Sequence, residues 1–152
     1  VTQEGPKVVE FNCRFGDPET QAVLPLLDGD LAEIMLAGAR GGLADVEMSV
    51  SDGYAMCVVI ASGGYPGSYE KGFPIRGLEE AAAVAGTQVF HAGTKRAGDD
   101  IVTAGGRVLG VTGWGKDFHE ARDRAYDAVG RISFEGSHHQ TDIGHRALKY
   151  LK

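Results

Sequence analysis

The stretch KVVEFNCRFGDPETQ, residues 7–21, begins with the pattern of an apolar strand over residues 7–13 and carries a carboxylate, an amide and a guanidinium at two-residue spacing. Because successive side chains of a strand alternate between its faces, Glu10, Asn12 and Arg14 are predicted to share one face. Carboxylate and amide oxygens suit Mg²⁺, and a guanidinium suits a phosphoryl or acyl-phosphate oxygen. The residues alone leave open the alternative of a half-buried strand whose polar face is solvated.

The same stretch ends in a predicted helix start. Asp17 suits the N-cap and Pro18 the first helical position, so the polar face of the strand leads to the positive end of a helix, where anions are favoured. Apolar residues at three- and four-residue spacing continue from Val23 to Met35. Pro25 and the Asp-Gly-Asp turn after it are predicted to divide this pattern into two helices, the second ending at residues 40–42.

The sequence changes character after residue 50. Residues 54–61 form a continuous apolar run, which is typical of a strand covered on both faces. Further strands are predicted at residues 89–91 and 101–103, and a tight turn at residues 104–106 is predicted to join the last of these to a strand over residues 107–112 as a hairpin.

A helix is predicted to close this second part. Asp117 and Glu120 have the spacing of a capping box at its start. Apolar residues then recur along one helical face; they are Phe118, Ala121, Ala125, Val129 and Ile132. We therefore expect an α/β protein of the α+β type, divided into residues 1–50 and a sheet-rich unit of residues 51–152 with packed helices.

Composition excludes several classes of function. The chain has 152 residues and a net charge of −6, without a Lys/Arg cluster, so we expect no nucleic-acid partner. Its two cysteines, Cys13 and Cys57, are far apart, which favours reduced thiols in a cytoplasmic protein, with Cys13 in the core. No apolar run approaches the length of a membrane span, and the first residues lack the pattern of a signal peptide, so no membrane association or secretion is expected.

Five blocks of this sequence carry a resemblance to a known family. They are GPKVVEFNCRFGDPETQ at residues 5–21, GGYPG at 63–67, VFHAGT at 89–94, VTAGGRVL at 102–109 and DIGHRA at 142–147. In this order they resemble the phosphoribosylamine-glycine ligases, ATP-grasp enzymes of purine biosynthesis, and the resemblance spans essentially the whole chain. It implies the end of an ATP-grasp domain followed by a small C-terminal domain with an antiparallel sheet.

The resemblance implies an ATP-dependent ligation of 5-phosphoribosylamine to glycine through a glycyl phosphate. ATP is then a co-substrate, and Glu10 and Asn12 are the expected ligands of Mg²⁺ or Mn²⁺. Arg14 is expected to hold the acyl phosphate. Asp17 is expected to orient the glycine ammonium or the incoming amine, although capping of the following helix explains this residue equally well.

Lys95 and Arg107 are the candidate residues for binding the substrate phosphate. They are predicted to lie on opposite arms of a hairpin, where two cations can converge on one phosphate; two solvated surface charges are the alternative. Distantly similar purine-pathway enzymes bind a ribose phosphate with a Lys and an Arg from the corresponding segment. By contrast, adjacent histidines such as His138 and His139 rarely converge on one ion, so no zinc site is expected.

The resemblance implies further lobes that cover the adenine and complete the substrate site, and these are expected to lie outside the 152 residues of this sequence. The chain is therefore expected to be the C-terminal third of the enzyme, inactive alone, with the remaining N-terminal part as its partner. One alternative is a non-catalytic binding or interaction module that keeps the fold. Another is a different ATP-grasp ligase, such as a carboxylase, which shares the Glu-x-Asn-x-Arg pattern, but the longer run over residues 11–21 speaks against it.

Overall fold

The structure, a computed structural model, describes residues 2–151. Its strands within this range are β1 (Leu27–Asp28), β2 (Ser49–Val50), β3 (Tyr54–Ala61), β4 (Thr87–His91), β5 (Thr94–Ala97), β6 (Asp100–Thr103) and β7 (Arg107–Gly115). Its α-helices are α1 (Glu19–Val23), α2 (Leu31–Arg40), α3 (Leu78–Ala82) and α4 (Phe118–Arg131), with 3-10 turns at Leu24–Leu26, Leu43–Asp45 and Ala147–Lys149. The predicted α+β class with an antiparallel sheet and packed helices is confirmed.

The main sheet has the strand order β3-β7-β4, with every neighbouring pair antiparallel. Val111, at the centre of β7, lies opposite Val58 on one side and Val89 on the other. The apolar run predicted at residues 54–61 is therefore an edge strand of this sheet. One of its faces is buried and the other is only half-buried, because alternate residues point in opposite directions.

Helix α4 packs on the buried face of the sheet and completes the core. Its predicted cap is present, since Asp117 Oδ1 accepts a hydrogen bond from Glu120 N at 2.9 Å and Glu120 Oε2 accepts one from Lys116 N at 2.9 Å. The predicted apolar stripe faces the sheet, with Ala121, Ala125 and Val129 buried. At Gly113 of β7 the backbone of α4 is so close that an added Cβ would collide with it.

The hairpin predicted across residues 104–106 is wrong. β6 pairs instead with β5, and the two-residue connection Gly98-Asp99 joins them. Gly98 has φ +61°, a conformation that glycine adopts without strain and that tight hairpin turns require. β6 is bonded to β5 along one edge and to residues 72–75 along the other, so β7 pairs with β3 and β4 instead.

The strand predicted at residues 7–13 is also wrong, because no other segment within residues 2–151 pairs with it. A strand pattern becomes a strand only where a neighbour supplies hydrogen-bond partners. The segment is exposed throughout, with Val9 95% and Phe11 86% accessible. Cys13 is exposed as well, so the prediction that it lies in the core is wrong.

The division of the following apolar pattern into two helices, α1 and α2, is confirmed. The predicted start of the first helix is wrong in detail: α1 begins at Glu19, its N-cap is Pro18, and no side chain caps it. Helix α2 is capped by Asp30, whose Oδ1 accepts hydrogen bonds from the amides of Ala32 and Glu33 at 2.8 and 3.1 Å.

Helix α1 lies on the face of the sheet opposite α4. The side chain of Thr112 on β7 donates a hydrogen bond to the carbonyl oxygen of Gln21 at 2.9 Å. The sheet is thus covered by a long helix on one face and by a short helix and loops on the other. The boundary near residue 50 stays a prediction. Among the helices of residues 2–151, none is both long and apolar enough to cross a membrane.

We expect Gly113→Ala to destabilise the fold. A Cβ at this position would lie 2.5 Å from the carbonyl oxygen of Ala121 and closer still to the amide nitrogen of Ala125, so α4 would have to move away from the sheet. Overpacking of this kind typically lowers the free energy of unfolding by about 1–3 kcal/mol. Urea unfolding followed by circular dichroism measures the change.

Gly130→Ala in α4 is the matched control, since a Cβ there meets no atom within 4 Å. It should leave the free energy of unfolding unchanged or raise it by up to about 1 kcal/mol, because alanine is the better helix former. Equal stability of the Gly113 variant and the unmodified protein would contradict the close packing of α4 on β7.

Candidate functional site

A cleft of about 490 Å³ lies on the half-buried side of β3, where that strand and β7 meet the surrounding loops. Its walls come from four separate segments of the chain: the α1 region, β3 with the loop after it, the start of β7, and the segment after α4. The lining residues are Pro18, Cys57, Val59, Ala61, Tyr65, Pro66, Arg107, His138, His139, Gln140 and Ile143.

Arg107 is the cation of this cleft, and Asp17 holds it in place. Arg107 Nη2 lies 2.9 Å from Asp17 Oδ2, and Arg107 Nη1 donates to the carbonyl oxygen of Asp17 at 2.9 Å. Gln21 Nε2 donates to the other carboxylate oxygen of Asp17, also at 2.9 Å. The predicted role of Asp17 as a helix cap is therefore wrong, because its carboxylate pairs with a residue from a distant part of the sequence.

The glycine-rich loop at residues 63–67 leaves the end of β3 as a turn and forms one wall of the cleft through Tyr65 and Pro66. Ser62 Oγ donates to the carbonyl oxygen of Gly105 at 2.9 Å, which ties the loop to the residues before β7. A Cβ at Gly106 would collide with the ring of Tyr65. This glycine therefore allows the tyrosine to lie against the start of β7.

The opposite wall comes from residues 138–143, whose contribution to the cleft the sequence reasoning missed. His138 exchanges two backbone hydrogen bonds with Ala61, of 2.8 and 3.0 Å, which attach this segment to the end of β3. The hydroxyl of Tyr126 donates to the carbonyl oxygen of Gln140 at 2.8 Å and accepts from the amide of Ile143 at 3.1 Å. The available signal was the DIGHRA block at residues 142–147, which carries the resemblance to the family and includes Ile143 of this wall.

Glu10 and Asn12 lie together on the exposed segment that precedes α1. Asn12 Nδ2 donates to Glu10 Oε1 at 3.1 Å, so the predicted proximity of the two side chains holds without a strand. Their remaining oxygens fit Mg²⁺, which commonly takes one or two protein oxygens and fills its other positions with water and phosphate. Arg14 donates instead to the carbonyl oxygen of the neighbouring Phe15 at 3.2 Å. Within residues 2–151, His, Cys, Asp and Glu form no group of three or more suited to a metal.

Lys95 does not lie across a hairpin from Arg107. It pairs with Val102 in the β5-β6 ribbon, whereas Arg107 begins β7 of the main sheet. The argument from hairpin register is therefore wrong for this pair. The ribbon remains tied to the start of β7, because the amide of Gly93, one residue before β5, donates to the carbonyl oxygen of Arg107 at 2.9 Å.

Cys57 lies in the cleft on the half-buried face of β3. Burial raises the pKa of its thiol above the ordinary value, a hydrogen bond with the side chain of Thr112 lowers this pKa in part, and the negative charge of Asp17 raises it further. A thiol reacts as the thiolate, so the raised pKa makes Cys57 less reactive.

A solved structure shows which class of protein this chain resembles. The fold is similar to that of a crystal structure of phosphoribosylamine-glycine ligase from Thermotoga maritima, with a TM-score of 0.72 and 34% sequence identity over 92% of this chain and 34% of that one. The sequence profile described as "Phosphoribosylglycinamide synthetase, C domain" matches residues 55–146. The chain belongs to this C-domain family.

Curated relatives match the region before residue 55 as well. A chloroplastic phosphoribosylamine-glycine ligase of Arabidopsis thaliana is 54% identical over 95% of this chain and 27% of its own length. The ligase of Streptomyces coelicolor is 53% identical over 97% and 36%. The trifunctional purine biosynthetic protein adenosine-3 of Gallus gallus is 48% identical over 99% of the chain and 15% of its own length. The chain thus spans about a third or less of these relatives.

The two cysteines should differ in their reaction with a maleimide at about pH 8. Cys13 is exposed, whereas Cys57 is partly buried and its pKa is raised, so we expect Cys57 to react at least about tenfold more slowly. Mass spectrometry of Cys13→Ser and Cys57→Ser assigns the fast and slow phases. Equal rates in the two single-cysteine proteins would contradict the placement of Cys57 in the cleft.

Proposed function

We propose that this chain is the C-terminal portion of an ATP-dependent ligase that joins 5-phosphoribosylamine and glycine in purine biosynthesis. The products are glycinamide ribonucleotide, ADP and phosphate, and glycine is activated as glycyl phosphate. The observation that carries the proposal is the match of 95% of the chain, at 54% identity, to a relative named for this reaction. The expected cytoplasmic location stays a prediction, because that relative is named chloroplastic.

Glu10 and Asn12 are the residues that would hold Mg²⁺ or Mn²⁺. When bound, such an ion neutralises charge on the phosphates of ATP, the co-substrate. Arg14 is two residues beyond Asn12 and has an exposed side chain, so it is available to bind an oxygen of the acyl phosphate. The exposure of all three residues is consistent with a site that is completed by groups outside this chain.

Arg107 is the residue that would bind the phosphate of 5-phosphoribosylamine. A guanidinium has five N–H donors, and two of its bonds go to Asp17, so three donors remain for a ligand. A cleft of about 490 Å³ is in the size range of small-molecule sites. Lys95, on the neighbouring ribbon, is proposed as a second cation for the same phosphate.

The adenine site and the rest of the glycine site are assigned to the remaining N-terminal part of the enzyme. An apolar groove of about 600 Å³, formed by the segments around α1 and α2, supports packing of further protein against this region. Met35 is 67% exposed beside it, and Phe15 55%. Contiguous apolar surface of this kind commonly marks an interface between proteins or domains.

Glu10→Gln and Asn12→Ala should each lower kcat/KM of the full-length ligase by at least about a hundredfold, because the first removes the negative charge of one metal ligand and the second removes the oxygen of the other. Excess Mg²⁺ or Mn²⁺ should partly restore the rate. Phosphate release with ATP, glycine and freshly generated phosphoribosylamine gives the measurement. The isolated chain serves as the blank, with no glycine-dependent ADP release expected.

Glu4→Gln is the matched control, since Glu4 pairs with Lys7 at 3.0 Å on the same exposed segment and its loss changes the charge equally. It should leave kcat/KM near that of the unmodified ligase. Near-native rates in the Glu10 and Asn12 variants would contradict the metal site. Absence of glycine-dependent turnover in the unmodified protein would instead favour a binding module that keeps the fold.

Lys95→Ala should raise the KM for phosphoribosylamine about tenfold in the same assay, with the KM values for ATP and glycine within about twofold of native. Arg96→Ala is its control, because the adjacent residue of β5 points to the opposite face of the ribbon and carries the same charge. An equal rise in KM for both variants would mean that the ribbon acts through its overall charge and would contradict a phosphate contact by Lys95.

A further inference from the structure

We propose that Asp17 is a positioning residue that holds the Arg107 guanidinium in the cleft for the substrate phosphate. It acts through Arg107. This role differs from the one expected from the sequence, in which Asp17 contacts glycine or the incoming amine. This inference rests on the function proposed above for Arg107.

The three oxygen atoms of Asp17 already accept hydrogen bonds. Its Oδ2 and its carbonyl oxygen accept from the two terminal nitrogens of Arg107, and its Oδ1 accepts from Gln21 Nε2, with all three distances 2.9 Å. A substrate ammonium would have to share or displace one of these bonds. Two simultaneous contacts fix the plane of the guanidinium as well as its position, as in other paired recognition by arginine.

Asp17 is itself anchored to the strand on which Arg107 lies. Gln21, which donates to Asp17, has its carbonyl oxygen bonded to the hydroxyl of Thr112 at 2.9 Å, and Thr112 is fully buried in β7. The connections form a closed circuit from Thr112 through α1 and Asp17 to Arg107 at the start of the same strand. The backbone of Arg107 is therefore fixed by β7, and its guanidinium is fixed by Asp17.

The same circuit links the two proposed halves of the site. Asp17 follows Arg14 by three residues, so the segment that carries Glu10 and Asn12 is attached directly to the cation of the cleft. The side chains of Arg107 and Asp17 are 41% and 53% exposed. Ion pairs with this exposure contribute little to folding, so the expected effect of losing the pair is on ligand affinity and orientation.

A double-mutant cycle in the full-length ligase tests the inference. Asp17→Asn keeps the shape of the side chain but removes its charge, and we expect it to raise the KM for phosphoribosylamine about tenfold with kcat and the KM for glycine within about twofold of native. In the Arg107→Ala background the same substitution should have no further effect, because the residue through which it acts is gone. Asp100→Asn is the control, since it breaks the Arg76–Asp100 pair, which has a distance of 2.7 Å and comparable exposure and lies at the hairpin turn of the β5-β6 ribbon; it should change none of these constants.

Calorimetry on the same proteins measures the binding of ribose 5-phosphate. This measurement reports on the contact between Arg107 and the phosphate and does not require turnover. The effects of Asp17→Asn and Arg107→Ala on ribose 5-phosphate affinity could be non-additive while no glycine-dependent turnover is found. That result would uphold the role of Asp17 and reject the proposed reaction. Normal turnover with additive effects, or a rise in the KM for glycine, would overturn the role of Asp17 and leave the reaction standing. A fall in the melting temperature with all constants equally impaired would also overturn it, because the residue would then be structural.

Discussion

The backbone of α4 lies directly against the backbone of β7 at Gly113, and the packing of the core depends on this contact. It requires a residue without a side chain on the strand and small residues on the helix, which Ala121 and Ala125 provide. β7 is the central strand of the sheet, between β3 and β4, so the helix covers the middle of the sheet. The buried apolar face of the protein is thereby complete, so polar groups can occupy the opposite face.

The opposite face is held by a different kind of interaction. There the short helix α1 and residues 138–143 are attached to the sheet by individual hydrogen bonds, such as the one from Thr112 to Gln21 and those between His138 and Ala61. Such bonds contribute about 1 kcal/mol each, far less than the burial of an apolar face. The cleft forms on this side because the covering segments meet the sheet at separate points and leave space between them.

The sequence predicted those elements whose signal is local. The apolar run of β3, the stripe of α4 and its Asp117 cap depend on neighbours within a few residues, and all three are present. The strand at residues 7–13 and the hairpin at residues 104–106 failed because both depend on which distant segment pairs with them. In the second case β6 is bonded to β5 along one edge and to residues 72–75 along the other, so neither edge is open to β7.

In the candidate site, too, features set by neighbouring residues were predicted and a contact with a distant residue was not. The proximity of Glu10 and Asn12 followed from their spacing and holds even without the strand that was predicted to impose it. The partner of Asp17 could not be read from spacing, because a carboxylate before Pro18 suits a helix cap and an ion pair equally well, and Arg107 lies 90 residues further along the chain. A residue near a helix start can thus act on a strand across the fold, where only the geometry of the folded chain decides between the two roles.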